Sequence, residues 1–510
     1  MIGKKGFQPK LLYKVSLEDL VPRDNFYRTL ERILDLNFVY TECKSLYGKT
    51  GNKSIDPLVF FKLNLYGYFE NIIYDRELIK RASDSLAVRL YLGYDLDEQL
   101  PWHSTISRTR AIMPEEIFSG IFNKVLKKCA EAGLIEGKHQ SIDSTLVKAN
   151  ASLETIERKT PGLTLEKYIE EVRKENQEED FSEQIEKTSE VNEDKQTDES
   201  TELKIIKPKK GKRISLSNKN YKSITDPDSR IAKKPGKPIN LYYSVHYAVD
   251  GKTKIITDVL STYADKSDSD VLLEIVDRTE GRLNEFGMKI ESVGADKNYC
   301  SGKNLQNLEQ KEIQPYIPTQ KHPNTKGGID KKEFSYDEFE DVYICPKGHK
   351  LKYKYTTRRN AKVYCVENKE CLSCPLKQRC SPGKKLRHLQ HSVFIKEYER
   401  LSGRMNSSKG KQKMRIRKIT TEPLFAEAKM NHGLSKFMSR GVDKSQKRAF
   451  CIATVQNLKR LIKHLSRSTY KLRNASTKLD SYFQKQLSHF KEKINYIFLR
   501  NFFQSIIMYQ

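Results

Sequence analysis

A chain of 510 residues with 93 Lys and Arg against 66 Asp and Glu, a formal charge of +27, has room for several domains. That excess favours a polyanionic partner, nucleic acid before an anionic membrane surface. No uninterrupted apolar run reaches the ~18 residues of a membrane span, MIGKKGFQPK lacks the apolar stretch of a signal peptide, and four of the nine cysteines crowd between Cys365 and Cys380, which excludes a secreted disulfide scaffold in favour of a metal site in a reducing, cytoplasmic setting.

Residues 1–135 read as an all-α domain. Asp56 followed by Pro57 marks a helix start, and the stretch from Asp75 to Gly93 reads as one helix closed by glycine. PWHSTISRTRAIM starts another helix at Ser104, with Arg108 and Arg110 in its early turns. An amphipathic helix ending at Gly133 follows. A helix, a short turn and an Arg-bearing helix fit a helix-turn-helix DNA-binding unit as well as a plain bundle. Residues 139–153 contain one short strand that carries Asp143. Residues 154–220 read as a charged, disordered insertion: Glu166 to Ser200 holds 14 acids against 5 bases, and the basic run KPKKGKR comes soon after.

INLYYSVHYAVDGKTKIITDVL predicts a β-hairpin turning at Asp250–Lys252. A helix over SDVLLEIVDRTEGRL, a buried strand ending at Asp296, a helix from Ser301 and a short strand IQPYIPT come next. The order strand, hairpin, helix, strand, helix, strand, with acids at two strands expected to be neighbours, is that of an α/β ribonuclease H-like core with a mixed sheet. This core is assigned to 136–332 and 393–440. Residues 333–392 are a cysteine-bearing insertion. From 441 to 510 the chain reads as basic helix, apolar on one face and cationic on the other, with a terminal INYIFLRNFFQSIIMYQ packed on protein.

Asp143 and Asp296, with a glutamate from the helix TTEPLFAEAKMNHG, supply the few hard oxygens that Mg²⁺ (or Mn²⁺) needs for phosphoryl transfer. Glu422 is preferred to Glu427. It shares a helix face with Lys429, seven residues on, whereas Glu427 lies about 140° around. Any single carboxylate is more often a solvated surface group, but Asp296 ends an apolar strand and Glu422 follows the cationic run KGKQKMRIRK. That run, with Arg415, Arg417 and Lys418, suits phosphate contact. Cys371 and Cys374, with Cys380 and Cys345, form a candidate Cys₄ structural zinc site, with His349 and Cys365 as substitutes.

Several stretches, in order, resemble bacterial insertion-sequence transposases of the DDE type, specifically the group named eleven-eighty-two. They are SIDPLVFFKLNLYGYFENIIYDRELIKRASDSLAVRLYLG, PWHSTISRTR, IDSTLVKANAS, DPDSRIAKKPGKPINLYYSVHYAVD, VGADKNYCSGKNL, CPKGHKL with CLSCPLKQRC, and TTEPLFAEAKMNHGLSKFMSRG. The resemblance implies a recombinase that binds the terminal inverted repeats of its element in duplex DNA, cuts there and joins 3′-hydroxyls to target DNA. It carries Asp143, Asp296 and Glu422 over as the metal-binding triad, and Lys429 as a DNA contact. It implies nucleoid association and at least a homodimer to bring two ends together. Ser144 stands where the family often has glycine, and Tyr243 where Gly-Tyr-Asn is usual. Arg415 and Lys418 occupy the positions of an upstream Tyr and Arg, with Arg417 adjacent. The alternative is a catalytically silent, domesticated DNA-binding descendant, which retention of all three acids disfavours.

Overall fold

Side-chain caps start the N-terminal helices where the sequence puts them. The Asp56 carboxylate accepts from the Leu58 N–H at 2.7 Å, and Pro57 opens the helix Pro57–Phe69, which is buried nearly all round. The computed structural model describes residues 15–48, 54–159, 217–233, 238–319, 329–358, 360–366, 371, 373–382 and 386–467. The stretch expected as one helix from Asp75 is two, Asp75–Asp84 and Leu86–Leu92. Ser85 is extended between them, and its hydroxyl caps the second through the Val88 N–H. Gly93 closes that helix at φ +78°, the left-handed conformation glycine adopts freely. The helix expected from Ser104 begins one residue earlier, at His103, and runs to Ile112; Glu115–Glu131 follows.

The strand through Asp143 is longer than expected: β1 spans His139–Lys148. The further strands are β2 (Ile156–Arg158), β3 (Tyr221–Ser223), β4 (Arg230–Ala232), β5 (Asn240–Asp250), β6 (Ile256–Tyr263), β7 (Ser292–Ala295) and β8 (Gln314–Tyr316). β2 and β3 pair with each other; 160–216, with the acidic stretch and KPKKGKR, lie outside the described residues. The main sheet runs β6-β5-β1-β7-β8, and β4 adds to the start of β5. β5 is antiparallel to both β6 and β1, while β1, β7 and β8 are parallel. β5 is buried on both faces, so the tyrosines on either side of its alternation are all interior.

The helix Ser408–Asn431 lies along β1 on one face of the sheet, and Asp268–Asn284 covers the other, packed on β5 and β6. The helix over 442–467 corrects the expectation of a basic surface element. Residues 445–458 are buried all round, Lys447 and Arg448 included. Its amides serve the outer edge of β6. The Asn457 side chain accepts from the Ile256 N–H at 2.9 Å and donates to the Ile256 carbonyl at 2.8 Å; Gln446 donates to the Val259 carbonyl at 2.9 Å. An edge strand is thereby covered. The C-terminal INYIFLRNFFQSIIMYQ lies outside the described residues. Among the described residues, no helix is long and apolar enough to cross a membrane.

Between β8 and the helix Ile395–Asn406 the chain builds a second sheet. Its antiparallel strands are β9 (Ser335–Asp337), β10 (Val342–Ile344), β11 (Lys350–Thr356), β12 (Ala361–Cys365) and β13 (His388–Ser392), side by side in that order. It has its own small core around Tyr343, Leu351, Tyr364 and Leu389.

Candidate active site

β1 and β7 are parallel and in register, His139 opposite Ser292 and Ile142 opposite Ala295. The next rung therefore puts Asp143 beside Asp296, where β7 has just ended and a short turn, Lys297–Tyr299, begins. Equal register in a parallel pair puts both side chains on the same face. That face is the one covered by the helix Ser408–Asn431.

The helix meets Asp143 through two side chains a turn apart. The Arg417 guanidinium donates to Asp143 Oδ2 at 2.8 Å and the Thr421 hydroxyl donates to the same oxygen at 3.1 Å, while the Ser144 N–H donates to Oδ1 at 2.8 Å. Burial pushes the Asp143 carboxyl up from the ordinary aspartate range. Arg417, the Ser144 N–H and Thr421 pull against that, Asp296 adds to it, and the net direction is up. Glu422 follows Thr421 and is exposed. Lys429 donates to the Thr145 hydroxyl, two residues beyond Asp143 on β1. Glu422 and Lys429 share a helix face, so the helix carries an acid and a cation along the strand that holds Asp143. Among the described residues no hydrogen bond or ion pair ties up the carboxylate of Asp296 or Glu422.

The other glutamate of that helix is engaged elsewhere. Glu427 pairs with Arg460 at 2.6 Å and faces His432 at 3.6 Å and Lys459 at 3.8 Å. Burial pushes its carboxyl up, but the hydrogen bonds from His432 and Arg460 and the Arg460 charge prevail and bring it to about 2.

Two expected DNA contacts are occupied inside the protein. Arg110 is buried, bidentate on Asp75 at 2.9 and 3.0 Å and donating to the Asn64 side chain. Arg417 is buried on Asp143. Both point inward because the helix faces that carry them are the packed ones. Arg108, Arg415 and Lys418 are exposed.

Behind Asp143, on the opposite face, lies a polar cluster that sequence reading missed. The Ser144 hydroxyl donates to Asp268 Oδ1 at 3.1 Å, His246 Nδ1 is 2.8 Å from the Tyr299 hydroxyl, and His246 Nε2 is 3.2 Å from the Thr262 hydroxyl. Burial, with Asp268 nearby, pushes the Tyr299 phenol well above its usual value. The available signal was the alternation of β5, which pairs His246 across from Ser144.

In the second sheet Cys345, Cys371, Cys374, Cys380 and His349 line one cavity. The His349 N–H donates to Cys345 Sγ at 3.3 Å across a turn made possible by Gly348 at φ +83°. Burial, then the neighbouring thiols, pushes Cys371 up. Cys365 stays on β12, its thiol on the Val366 carbonyl, and does not line the cavity. The four thiols are a donor set suited to a soft divalent cation. As placed, no group of three or more His, Cys, Asp or Glu among the described residues, carboxylates or thiols, is arranged to hold a metal ion.

Two family models match the chain. One is described as a transposase domain (DUF772) and covers residues 15–111; the other is described as a transposase DDE domain and covers 344–462, including the second sheet and the Glu422 helix. No curated protein matches. Among solved structures, a cryo-EM structure of the piggyBac transposase synaptic complex with hairpin DNA is similar at 10% identity, covering 88% of this chain and 77% of that one, with a TM-score of 0.33. So slight a likeness carries no argument. Matched in chain order at either side of the aspartate-bearing sheet, the two models make this chain similar to DDE transposases over those two stretches.

Proposed function

We propose that Asp143, Asp296 and Glu422 are the acidic triad of a transposase of the eleven-eighty-two group, built on a ribonuclease H-like sheet, which cuts at the ends of its element and joins the freed 3′-hydroxyls to target DNA. The observation that carries the reading is the register of β1 against β7: it brings two aspartates with 152 residues between them in sequence side by side at one level of the parallel pair, beneath the helix that bears Glu422. The strand order, with β6, β5 and β1 antiparallel and β1, β7 and β8 parallel, supports the ribonuclease H-like assignment. The three carboxylates have the hard-oxygen chemistry for Mg²⁺ or Mn²⁺, and these residues would hold it. Such a cation supplies charge neutralisation at the phosphate and acidification of the attacking water or hydroxyl.

The protein groups divide the remaining work. Arg417 and Thr421 fix the orientation of the Asp143 carboxylate. Lys429 binds a phosphate beside Thr145. Arg415 and Lys418, exposed on the helix of Glu422, hold the DNA backbone, and Arg108 does so on the N-terminal helices that bind the inverted repeats. Cys345, Cys371, Cys374 and Cys380 would hold Zn²⁺ as a staple of the second sheet, away from the chemistry. Pairing two DNA ends calls for at least two copies of the chain.

The test is Mg²⁺-dependent cleavage of duplex DNA carrying the element's terminal repeats. Wild type should cut, and Asp143→Asn, Asp296→Asn and Glu422→Gln should each bind the repeats and cut at least 10³-fold more slowly, the order of ~4 kcal/mol of lost transition-state stabilisation. Cleavage by Asp143→Asn at the wild-type rate would sink the site. Repeat binding without cleavage by any form would favour the silent descendant.

A further inference from the structure

We infer that the β11–β12 hairpin of the second sheet is a DNA-contacting arm that lays its tip against the sugar-phosphate backbone of a duplex. The inference rests on the transposase reading for the identity of the polyanion, and on the hairpin itself for the contact. Residues 345–365 contain seven Lys and Arg and no Asp or Glu. The second sheet's acids include Asp337 on β9 and Glu338, Glu340 and Asp341 in the loop before β10. Glu340 pairs with Lys350 at the base of the hairpin at 2.5 Å, and Asp341 with Lys362, opposite Thr356 beside the turn, at 3.0 Å. Lys354 and Arg358 are exposed, with no hydrogen bond or ion pair to a described residue.

Tyrosines lie among these cations. Tyr353 and Tyr355 are 47% and 50% exposed, on the stretch of β11 that runs past its last pairing with β10 at Lys352. This Lys-Tyr-Lys-Tyr stretch is solvated on that side. Its composition is that of a nucleic-acid surface, where lysines meet phosphates and aromatic faces meet sugars and bases. The register shift between Tyr353 and Tyr355 is a local irregularity of the kind that increases strand twist.

Its root lies at the proposed active site. β7 and β8 are parallel, so Tyr316 ends β8 at the same edge of the sheet as Ala295 and Asp296. The chain leaves that edge to build the second sheet. It returns through Ile395–Asn406, which packs on β8, directly into the helix of Glu422. DNA held at the carboxylates by Arg415 and Lys418 would thus continue towards the hairpin.

The experiment measures binding of the full-length protein to a fluorescein-labelled duplex of arbitrary sequence by anisotropy, over a series of salt concentrations. Lys354→Ala/Arg358→Ala should make the plot of log K against log salt shallower by about 2, close to one counterion per lost phosphate contact. Tyr353→Leu/Tyr355→Leu should weaken binding about tenfold and leave that slope unchanged. Both variants should keep the wild-type circular dichroism; Lys354→Ala/Arg358→Ala should also keep the melting curve, while Tyr353→Leu gives up a hydrogen bond to Thr356 and an edge contact with Tyr364. Wild-type binding with an unchanged slope and affinity in Lys354→Ala/Arg358→Ala overturns the arm and leaves the transposase reading standing. Loss of affinity for a labelled single strand alone overturns the duplex contact. A wild type that binds no duplex overturns both readings.

Discussion

Asp143 shows how one side chain can be unreadable alone and specific in place. Burial works against its ionised form, and Arg417 and Thr421 offset only part of that. Removing the arginine therefore has a definite sign. Arg417→Gln withdraws the neighbouring cation, the protonated carboxyl persists to higher pH, and the acid limb of the cleavage profile should move up in pH with the alkaline limb unmoved. A pH–rate series on the two proteins measures it, and coincident acid limbs would count against Arg417 as the group that orients Asp143. Glu427 has the opposite character. Its carboxyl is held at about 2 against an ordinary value of 4.5, so its stabilising contribution is complete above about 4.5 and fades as pH falls towards about 2. Glu427→Gln should cost roughly 1–3 kcal/mol at neutral pH, the range for hydrogen bonds to a charged group. The gap from wild type in denaturant midpoint should shrink below pH ~4.5. A gap that stays constant down to pH ~2 would show that packing, not charge, sets the cost.

At the scale of elements, sequence pattern succeeded where one local cause decides. Asp56 with Pro57 starts a helix because it satisfies orphan N–H groups, and Gly93 ends one because its backbone is left-handed. Pattern failed where a distant surface decides. The helix over 442–467 carries Lys447, Arg448, Gln446 and Asn457 and reads as half solvated, yet it is interior, because β6 needs its amides and Tyr68 and Ser439 take Arg448. Arg110 misled for the same reason, since its carboxylate lies 35 residues earlier in the chain. The three acids of the proposed triad were legible in sequence as an expectation, but Thr421, Asp268 and His246 were not, being ordinary until β1 and its two covering helices meet. The junction that carries Glu422 makes its own prediction. Gly410 lies in the first turn of the helix Ser408–Asn431, and a Cβ there would come within 2.2 Å of the Arg404 carbonyl oxygen and 2.9 Å of the Met405 Cα. Backbone atoms cannot step aside. Gly410→Ala should therefore destabilise by about 1–3 kcal/mol despite a helix-propensity gain of up to ~1 kcal/mol. Chemical denaturation measures this, and a stabilised variant would show that the corner between the two helices is pliable.

At the scale of the whole molecule, burial joins stretches on either side of residue 135. One hydrophobic core runs from the N-terminal helices through the main sheet to the helix over 442–467, where Phe450 meets Phe122 at a ring separation of 5.6 Å. The second sheet has a separate core. Composition announces a charged insertion or a cysteine cluster, but not whether two helical stretches over 300 residues apart share an interior, because shared burial leaves no local mark. Two cores predict two units of unfolding. Calorimetry of the full chain should resolve a transition for the second sheet from one for the N-terminal helices and main sheet together. Phe450→Ala should lower only the latter, costing about 3–5 kcal/mol, and Tyr343→Ala only the former. The thiol cavity belongs to the smaller unit, so if the proposed Zn²⁺ binds there, a chelator should move the transition that Tyr343→Ala moves and leave the other in place. If Phe450→Ala split the larger transition, the N-terminal helices would be a domain of their own, free to hold a DNA end independently of the carboxylates. If it stays single, the helices proposed to bind the repeat and the sheet proposed to cut beside it unfold as one unit, and on that reading the cut site is set by the distance between them.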